Sequence, residues 1–123
     1  MEVTNLLEFC QRSELRKWLE QNYASAPYCW VASYRGKCPP ESVIIDNETR
    51  LLCLPYIEIV EEALCFGWID STAKRLPDGR LAQRLSPRRK YSHWTELNKQ
   101  RCRDLEALGL MTDAGRFALM KAK

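Results

Sequence analysis

The sequence predicts a small α+β domain: a small antiparallel sheet with a central hairpin, packed by about four helices. The chain has 123 residues, which suits one domain with a core of its own. Apolar residues recur at helical spacing in several segments, and short aromatic and β-branched runs alternate with turn residues. Helices and strands gathered around one sheet define the α+β class. We therefore expect a single domain over residues 1–123.

Helices are expected at four places. Ser13, Ser92 and Thr112 are suitable N-cap residues because a side-chain oxygen can accept a hydrogen bond from the first turn, and Pro55 suits a helix start. The expected spans are 13–22, 55–66, 93–108 and 113–121. The expected apolar stripes are Ile57, Val60 and Leu64 on the second helix, and Trp94, Leu97, Arg101, Leu105 and Leu108 on the third.

Strands are expected at 28–34, 68–74 and 81–85, where aromatic and β-branched residues are frequent. A Pro-Asp-Gly-Arg turn at 77–80 predicts that the last two strands form an antiparallel hairpin. Residues 41–54 leave two alternatives open. A short hairpin around the turn-prone pair Asp46-Asn47 and an irregular loop are both compatible with the sequence.

Charge is sorted along the chain. Residues 1–73 hold 6 Lys/Arg and 11 Asp/Glu, a net charge of −5, whereas residues 74–103 hold 10 and 2, a net charge of +8. In one interpretation the two parts pair with each other across the fold or face water. In the other, the basic segment forms a face for an anionic partner.

Nothing in the sequence indicates export, membrane insertion or a cofactor. The amino terminus has no apolar core of a signal peptide, and the apolar runs are too short to cross a bilayer, so we expect a cytoplasmic protein. The six cysteines are then expected to be reduced thiols. With one histidine, His93, and no C-x-x-C spacing, no metal site is expected, and no nucleotide-binding glycine motif occurs.

Two carboxylates are candidates for chemistry. Glu58 and Glu62 share one helix face, and paired acids can perform acid–base catalysis, although such pairs are more often solvated. Asp70 follows an apolar start of its strand and should be half-buried, so it needs a partner, for which Arg80 and Arg84 are nearest. A structural ion pair is the simpler interpretation, and we assign no catalytic residue.

The basic segment combines arginines with aromatic residues. Arg84, Arg88 and Arg89 offer planar forks for phosphate or carboxylate groups, and Trp94 offers a stacking face. These residues suit a phosphate, a nucleic-acid backbone or an acidic protein partner. The alternative is that Trp94 belongs to the core and the arginines form a solvated rim.

Four sequence segments together resemble a known family. They are VEEALCFGWIDS at 60–71, QRLSPRRK at 83–90, SHWTELN at 92–98 and GLMTDAG at 109–115. Over residues 55–116 their order and spacing resemble the YdeI/OmpD-associated family, also called bacteriocin-protection or OmdA-like proteins. Residues 36–54 look longer and more apolar than the corresponding family segment, and the chain ends soon after Gly115, where relatives continue.

The resemblance implies a function in broad terms only. That family is linked to envelope stress and to resistance against cationic antimicrobial peptides, and it has no agreed enzymatic activity. We therefore expect a non-catalytic cytoplasmic binding domain for a small anionic or zwitterionic ligand or an acidic partner. The alternatives are a nucleic-acid-binding protein and a small enzyme that uses Glu62 and Asp70. The expected ligand-binding residues, placed in one cleft, are Glu62, Asp70, Arg84, Arg88, Trp94 and Asn98.

Overall fold

The computed structural model describes residues 2–35, 44–45, 50–51, 53–77, 79–89 and 94–121. Within them the expected α+β class is confirmed. The helices are α1 (Arg12–Asn22), α2 (Tyr56–Cys65), α3 (Glu96–Ala107) and α4 (Asp113–Met120). The strands are β1 (Cys29–Tyr34), β2 (Ile44–Ile45), β3 (Arg50–Leu51), β4 (Leu54–Pro55), β5 (Trp68–Arg75) and β6 (Leu81–Pro87). No described helix has the length and apolar character that a membrane crossing requires.

The main sheet has four strands in the order β4-β1-β6-β5. The pairs β1–β6 and β5–β6 are antiparallel, but β1 and β4 run parallel, with Ser33 opposite Leu54. The sheet is therefore mixed, and the expectation of a wholly antiparallel sheet is wrong at this pair. A strand of two residues has no alternating pattern, so β4 could not be predicted from hydrophobic periodicity.

The predicted hairpin is present as β5 and β6, although β5 lies at the edge and only β6 is internal. Its turn contains Gly79 at a φ of 94°, a conformation that glycine adopts without steric cost. Between Asp70 and Ala73 the register of the ladder shifts. A second ladder pairs β2 with β3, which agrees with the short-hairpin alternative between residues 41 and 54. The turn-prone pair Asp46-Asn47 lies outside the described residues.

The two faces of the sheet have different surroundings. Helix α2 packs on the face that carries Val31, Trp68 and Leu85, and these residues join the main hydrophobic core. We call it the α2 face. Successive side chains on a strand point to opposite faces, so Arg84, the neighbour of Leu85, lies on the opposite face together with its cross-strand partner Trp30.

Two helices begin at residues other than those expected. Helix α1 starts at Arg12, where the Glu14 carboxylate accepts from the Gln11 amide at 3.0 Å and the Glu14 amide donates to the Gln11 carbonyl, so Ser13 is not the cap. Helix α3 starts at Glu96, and the Thr95 hydroxyl accepts from the Asn98 amide. The expected start near His93 is therefore wrong, and Ser92 lies outside the described residues. The Thr112 cap of α4 is confirmed.

The apolar stripes are narrower than expected. Ile57 is 43% exposed, and Leu97 and Leu108 are 59% and 72% exposed. Helix α3 buries Leu105, as expected, together with Cys102, which lies one turn before it. The amphipathic spacing in the sequence therefore located the helices correctly. Which of the apolar residues on each helix become buried depends on the side from which the neighbouring elements pack.

Helix α4 approaches the end of α2 through backbone contacts. The amide and hydroxyl of Thr112 both donate to the Cys65 carbonyl. Gly115 is buried there, and a Cβ atom at this position would lie 2.3 Å from the same carbonyl oxygen. Only glycine therefore permits this close approach.

Among the described cysteines, Cys10, Cys29, Cys65 and Cys102 are free thiols. Burial raises the pKa of Cys29 to about 12, an effect that Arg84 opposes. Burial likewise raises the pKa of Cys65 and of Cys102 to about 11. These three thiols are protonated at neutral pH and therefore weakly nucleophilic.

Candidate functional site

The six residues expected in one cleft lie in three different surroundings. Glu62 contacts α1. Asp70, Arg88, Trp94 and Asn98 lie in or beside one polar cluster on the α2 side of the sheet. Arg84 lies on the opposite face. The expectation of a single cleft containing all six is therefore wrong.

Glu62 is held between two arginines of α1. Its side chain is 1% exposed, and its two oxygens accept from Arg12 Nε at 2.5 Å and from Arg16 Nη1 at 3.2 Å. Arg12 also donates to Glu61 at 2.8 Å, and Arg16 donates to the Leu110 carbonyl at 2.7 Å. The carboxylate thus links α1 to α2 and, through Arg16, to the start of the segment before α4.

The negative charges of Glu61 and Glu62 stabilise the charged forms of Arg12 and Arg16. Burial alone would lower the pKa of Arg12, but hydrogen bonds from its guanidinium to Glu62 and Glu61, and their negative charges, raise it overall. For Arg16, the charge and hydrogen bond of Glu62 likewise outweigh burial and raise the pKa. Both Glu62 oxygens already accept from a cation, and this geometry is that of a structural ion pair.

Asp70 has neutral partners. Its Oδ2 accepts from the Tyr56 hydroxyl at 2.7 Å and from Gln83 Nε2 at 3.5 Å. The expected partners are wrong, because Arg80 instead forms an ion pair with Glu8 at 2.8 Å. Register explains the other failure: Asp70 lies opposite Leu85, which places Arg84 on the other face of the sheet.

Gln83 is a buried residue next to Asp70. Its side chain is among those fully buried, at 2% exposure. Nε2 is within 3.4 Å of the Thr72 carbonyl as well as near Asp70. Oε1 is buried and has no hydrogen-bond donor, so the side chain presents an unused acceptor beside a carboxylate.

Tyr56 joins the carboxylate to two arginines. Burial raises the pKa of Tyr56, and its hydrogen bond to Asp70 and the charge of Asp70 raise it further, while Arg35 and Arg101 lower it. The Arg35 guanidinium lies 4.2 Å from the centre of the Tyr56 ring. The phenol therefore remains neutral and donates to Asp70 at physiological pH.

Arg88 also interacts with the charge of Asp70. Burial lowers the pKa of Arg88, whereas Cys102 and Asp70 oppose that effect. Its guanidinium lies 3.9 Å from the centre of the Trp94 ring, and Trp94 is 1% exposed. Trp94 is thus a core residue covered by an arginine, as the second interpretation of the basic segment expected, and it offers no free face for stacking.

Asn98 positions another arginine. Its Oδ1 accepts from Arg101 Nη1 at 2.8 Å on the same helix. Arg101 is part-buried and close enough to Tyr56 to influence its pKa. Asn98 therefore reaches the site indirectly.

We call this group the Asp70 cluster: Asp70, Tyr56, Gln83, Arg35, Arg88 and Arg101. It contains three cations and one carboxylate, so its formal charge is +2. A cavity of about 240 Å³ lies beside it, lined by Tyr34, Arg35, Pro55, Tyr56 and Ile57. Sequence reasoning missed Tyr56, Gln83, Arg35 and Arg101. For Gln83 a signal existed, since it lies two residues from the core residue Leu85 and so points to the same face.

Metal-binding geometry is not found in the described part of the chain. No group of three or more His, Cys, Asp or Glu residues there could hold a metal ion. The cluster's chemistry is instead that of hydrogen-bond donors and cations around one carboxylate, which suits recognition of an oxyanion.

Comparison with known proteins gives one match. A family model described as a domain of unknown function (DUF8412) matches residues 7–118. No curated protein and no solved structure matches the chain. The resemblance to the YdeI/OmpD-associated family is not tested by these comparisons and stays a prediction.

Proposed function

The chain belongs to the DUF8412 family, and from that premise we propose that it is a non-catalytic cytoplasmic binding domain for a small anionic or zwitterionic ligand. The proposed site is the Asp70 cluster. The observation that supports this most directly is that Asp70 accepts hydrogen bonds from neutral groups, while three arginines lie in its neighbourhood: Arg88 is close enough to interact with its charge, and Arg35 and Arg101 interact with its partner Tyr56. A role in envelope stress or antimicrobial-peptide resistance remains part of the proposal, through the family resemblance.

Charge favours an anion at this site. Asp70 offsets one of the three guanidinium charges, so the cluster keeps a positive charge that attracts a carboxylate or phosphate group of the ligand. Arg88 and Arg101 are part-buried, whereas Arg35 is exposed, and part-buried arginines bind such groups more strongly because water screens the interaction less. Arg35, Arg88 and Arg101 belong to three different segments, so they approach the site from different directions.

The Asp70 carboxylate favours a ligand that also carries a donor. Asp70 is half-buried and accepts hydrogen bonds from the neutral Tyr56 hydroxyl and Gln83 amide. An ammonium, amide or hydroxyl hydrogen of the ligand would donate to the same carboxylate. This combination suits a zwitterion better than a simple inorganic anion.

A ligand panel tests the proposal. Small carboxylates, phosphates and zwitterionic metabolites are screened by thermal shift, since a ligand that binds only the native state raises the unfolding temperature. Hits are then measured by calorimetry. We expect stabilisation by anionic or zwitterionic compounds and none by cationic ones. If no compound of the panel raises the unfolding temperature, the small-ligand proposal is contradicted and an acidic protein partner is favoured.

Arg101→Gln is the first test variant. Removing a charge-assisted hydrogen bond costs about 1.5–3 kcal/mol, so the dissociation constant of a hit should rise by roughly 10- to 100-fold. Arg103→Gln is the matched control, because Arg103 is exposed on the same helix and bonds to Gln100. Equal effects of the two variants would place the ligand elsewhere.

Asp70→Asn separates the two ligand classes. Without the carboxylate charge, a zwitterion loses the partner of its positive group and should bind more weakly. A purely anionic ligand should bind more tightly, because the repulsion from Asp70 is gone. The variant keeps the shape of the side chain, and circular dichroism verifies that it folds.

The same variant and a salt series address the alternatives. An enzyme that uses Asp70 would lose turnover in the folded Asp70→Asn protein. Nucleic-acid binding through the basic segment would weaken steeply with rising salt. An oligonucleotide that fails to bind at about 50 mM salt, where phosphate contacts are strong, excludes that alternative.

A further inference from the structure

A cavity of about 200 Å³ lies between the end of the β5–β6 hairpin and helix α4. The segment after β6 contributes two arginines to its wall, and α4 contributes an aromatic ring, a methyl group and a lysine. The lining residues are Arg88, Arg89, Phe117, Ala118 and Lys121. The cavity therefore presents three cations beside an apolar wall, and its lining contains no acidic residue.

Backbone contacts set the distance between the two walls of this cavity. The Arg88 amide donates to the Gly67 carbonyl at 3.0 Å. A Cβ atom on Gly67 would lie 2.9 Å from the Cβ atom of Ala118 and 3.0 Å from the Ala114 carbonyl oxygen. Helix α4 thus packs directly on the residue that binds the Arg88 backbone, so the cavity is a product of main-chain packing.

The cations of this cavity are not neutralised by neighbouring acids. In the part of the chain that the structure describes, Arg89 and Lys121 form no ion pair. The Lys121 ammonium lies 5.4 Å from the centre of the Phe117 ring. A second cavity, between α3 and α4, differs because its Arg116 pairs with its Glu106 at 2.6 and 2.9 Å. Cations that converge without acids attract anions, so charge distinguishes the cavity at Lys121.

The apolar wall favours an organic anion over an inorganic one. Phe117 is 62% exposed, although an aromatic ring gains free energy when another group covers it. A cavity of roughly 150 Å³ holds one benzene molecule. The volume of about 200 Å³ at Phe117 therefore has room for one ring and a charged group attached to it.

We propose that this cavity binds a small organic oxyanion, a carboxylate or phosphate group attached to an apolar group of about the size of a benzene ring. The oxyanion binds Arg89 and Lys121, and the apolar group covers the Phe117 ring. The proposal does not rest on the proposed function of the Asp70 cluster. Arg88 belongs to both sites, whereas Arg89, Phe117 and Lys121 lie outside that cluster.

Benzoate and phenyl phosphate are the probes. They are titrated into the full chain and followed by nuclear magnetic resonance through the Ala118 methyl signal, with the exposed Ala107 of α3 as the reference. Acetate lacks the ring and benzyl alcohol lacks the charge, so each should bind about tenfold more weakly than benzoate. Tighter binding of benzoate assigns the cavity to carboxylates, and tighter binding of phenyl phosphate assigns it to phosphorylated ligands.

Two results of this titration overturn the proposal. The first is that neither benzoate nor phenyl phosphate moves the Ala118 signal. The second is that acetate or benzyl alcohol binds as tightly as benzoate, because the charge and the ring would then not act together.

Phe117→Ala and Lys121→Gln test the two parts of the site. Loss of the ring should weaken benzoate binding about tenfold, and loss of one exposed charge should weaken it about threefold. Met120→Ala is the matched control for the ring, because Met120 is 80% exposed on the same helix and lines the other cavity. Lys17→Gln, at an exposed position on α1, is the control for the charge. Both controls should leave the affinity unchanged.

Arg101→Gln separates this site from the Asp70 cluster. Benzoate bound beside α4 should keep its affinity in Arg101→Gln and lose affinity in Lys121→Gln. A larger loss in Arg101→Gln would place benzoate in the Asp70 cluster and overturn the proposal. Unchanged affinity in both Phe117→Ala and Lys121→Gln would overturn it as well.

Discussion

Two carboxylates of similar sequence context, Glu62 and Asp70, have opposite surroundings. Glu62 is enclosed by two guanidinium groups, whereas Asp70 accepts from a phenol and an amide. The first carboxylate is neutralised within the fold, and its removal should affect stability. The second retains its charge toward the surrounding arginines, and its removal should affect ligand binding.

Glu62→Gln should destabilise the protein by about 2–3 kcal/mol. Breaking a buried ion pair costs about 3–5 kcal/mol, and we expect less because Arg12 and Arg16 remain 30% and 25% exposed and can be rehydrated. Urea unfolding measures the difference. Glu61→Gln is the control: Glu61 pairs with the same Arg12 but is 29% exposed, so it should cost about 1 kcal/mol or less. Similar losses in both variants would show that burial is not what makes Glu62 important.

At this scale the sequence identified candidate residues better than their partners. Asp70 was correctly expected to need a partner, whereas the solvated face expected for Glu62 is wrong, because its side chain is 1% exposed. Their partners depend on the approach of α1 and on strand register, and neither is encoded locally. A one-residue difference in register decides whether position 84 or 85 faces Asp70, which is why Arg84 was wrongly placed beside it.

The junction of α2 and α4 is the most constrained contact between elements. Gly115→Ala would place a methyl group 2.3 Å from the Cys65 carbonyl oxygen. Since backbone cannot rotate away as a side chain can, we expect a loss of about 3 kcal/mol, at the upper end for overpacking. Thermal unfolding measures it.

Gly109→Ala is the matched control for that prediction. A Cβ atom there meets nothing within 4 Å, but the residue has a φ of 74°. The cost should therefore be limited to the left-handed conformation, about 1 kcal/mol. A larger loss at Gly109 than at Gly115 would mean that backbone conformation, and not the close approach of the helices, dominates.

The elements themselves were largely predictable. The periodic spacing of apolar residues, together with glycine and proline at segment ends, located the helices α1 to α4 and the β5–β6 hairpin. Thr112 was recognised as a helix cap. The failures have physical causes. Strand β4 is too short for a pattern, and the apolar stripe of α3 was assigned to Leu97 and Leu108, which tertiary packing leaves exposed.

The sorting of charge along the whole chain is explained only in part by internal pairing. Glu61 and Glu62 pair with arginines of α1, which belong to the same acidic half. Arg80 and Glu8 do join the two halves. The acids of α2 therefore do not neutralise the basic segment, which favours the interpretation of that segment as a face for anions.

Stability should fall at alkaline pH because of buried thiols. A cysteine in the unfolded chain has a pKa near 8.5, whereas burial raises the pKa of Cys29 to about 12 and of Cys65 and Cys102 to about 11. Between these values the native state binds more protons than the unfolded state, so rising pH favours unfolding. This contribution is complete below about pH 8.5 and is lost as pH rises toward 11 to 12.

Urea unfolding between pH 7 and 10 measures this effect, with the onset expected near pH 8.5, the pKa of an unfolded thiol. Cys102→Ala should reduce the slope, while substitution of the less buried Cys10 by serine should leave it unchanged. An identical slope in all three proteins would attribute the alkaline loss to other groups.

The backbone contact between α4 and α2 also has a consequence for how the family can diverge. Because Thr112 donates to the carbonyl of residue 65 and Gly115 approaches the same atom, the docking of α4 does not depend on the side chain at that position. Related sequences can therefore drift at residue 65 as long as the core is filled. The sequence is restricted on α4 instead, where the contact requires a threonine and, three residues later, a glycine at the start of the helix.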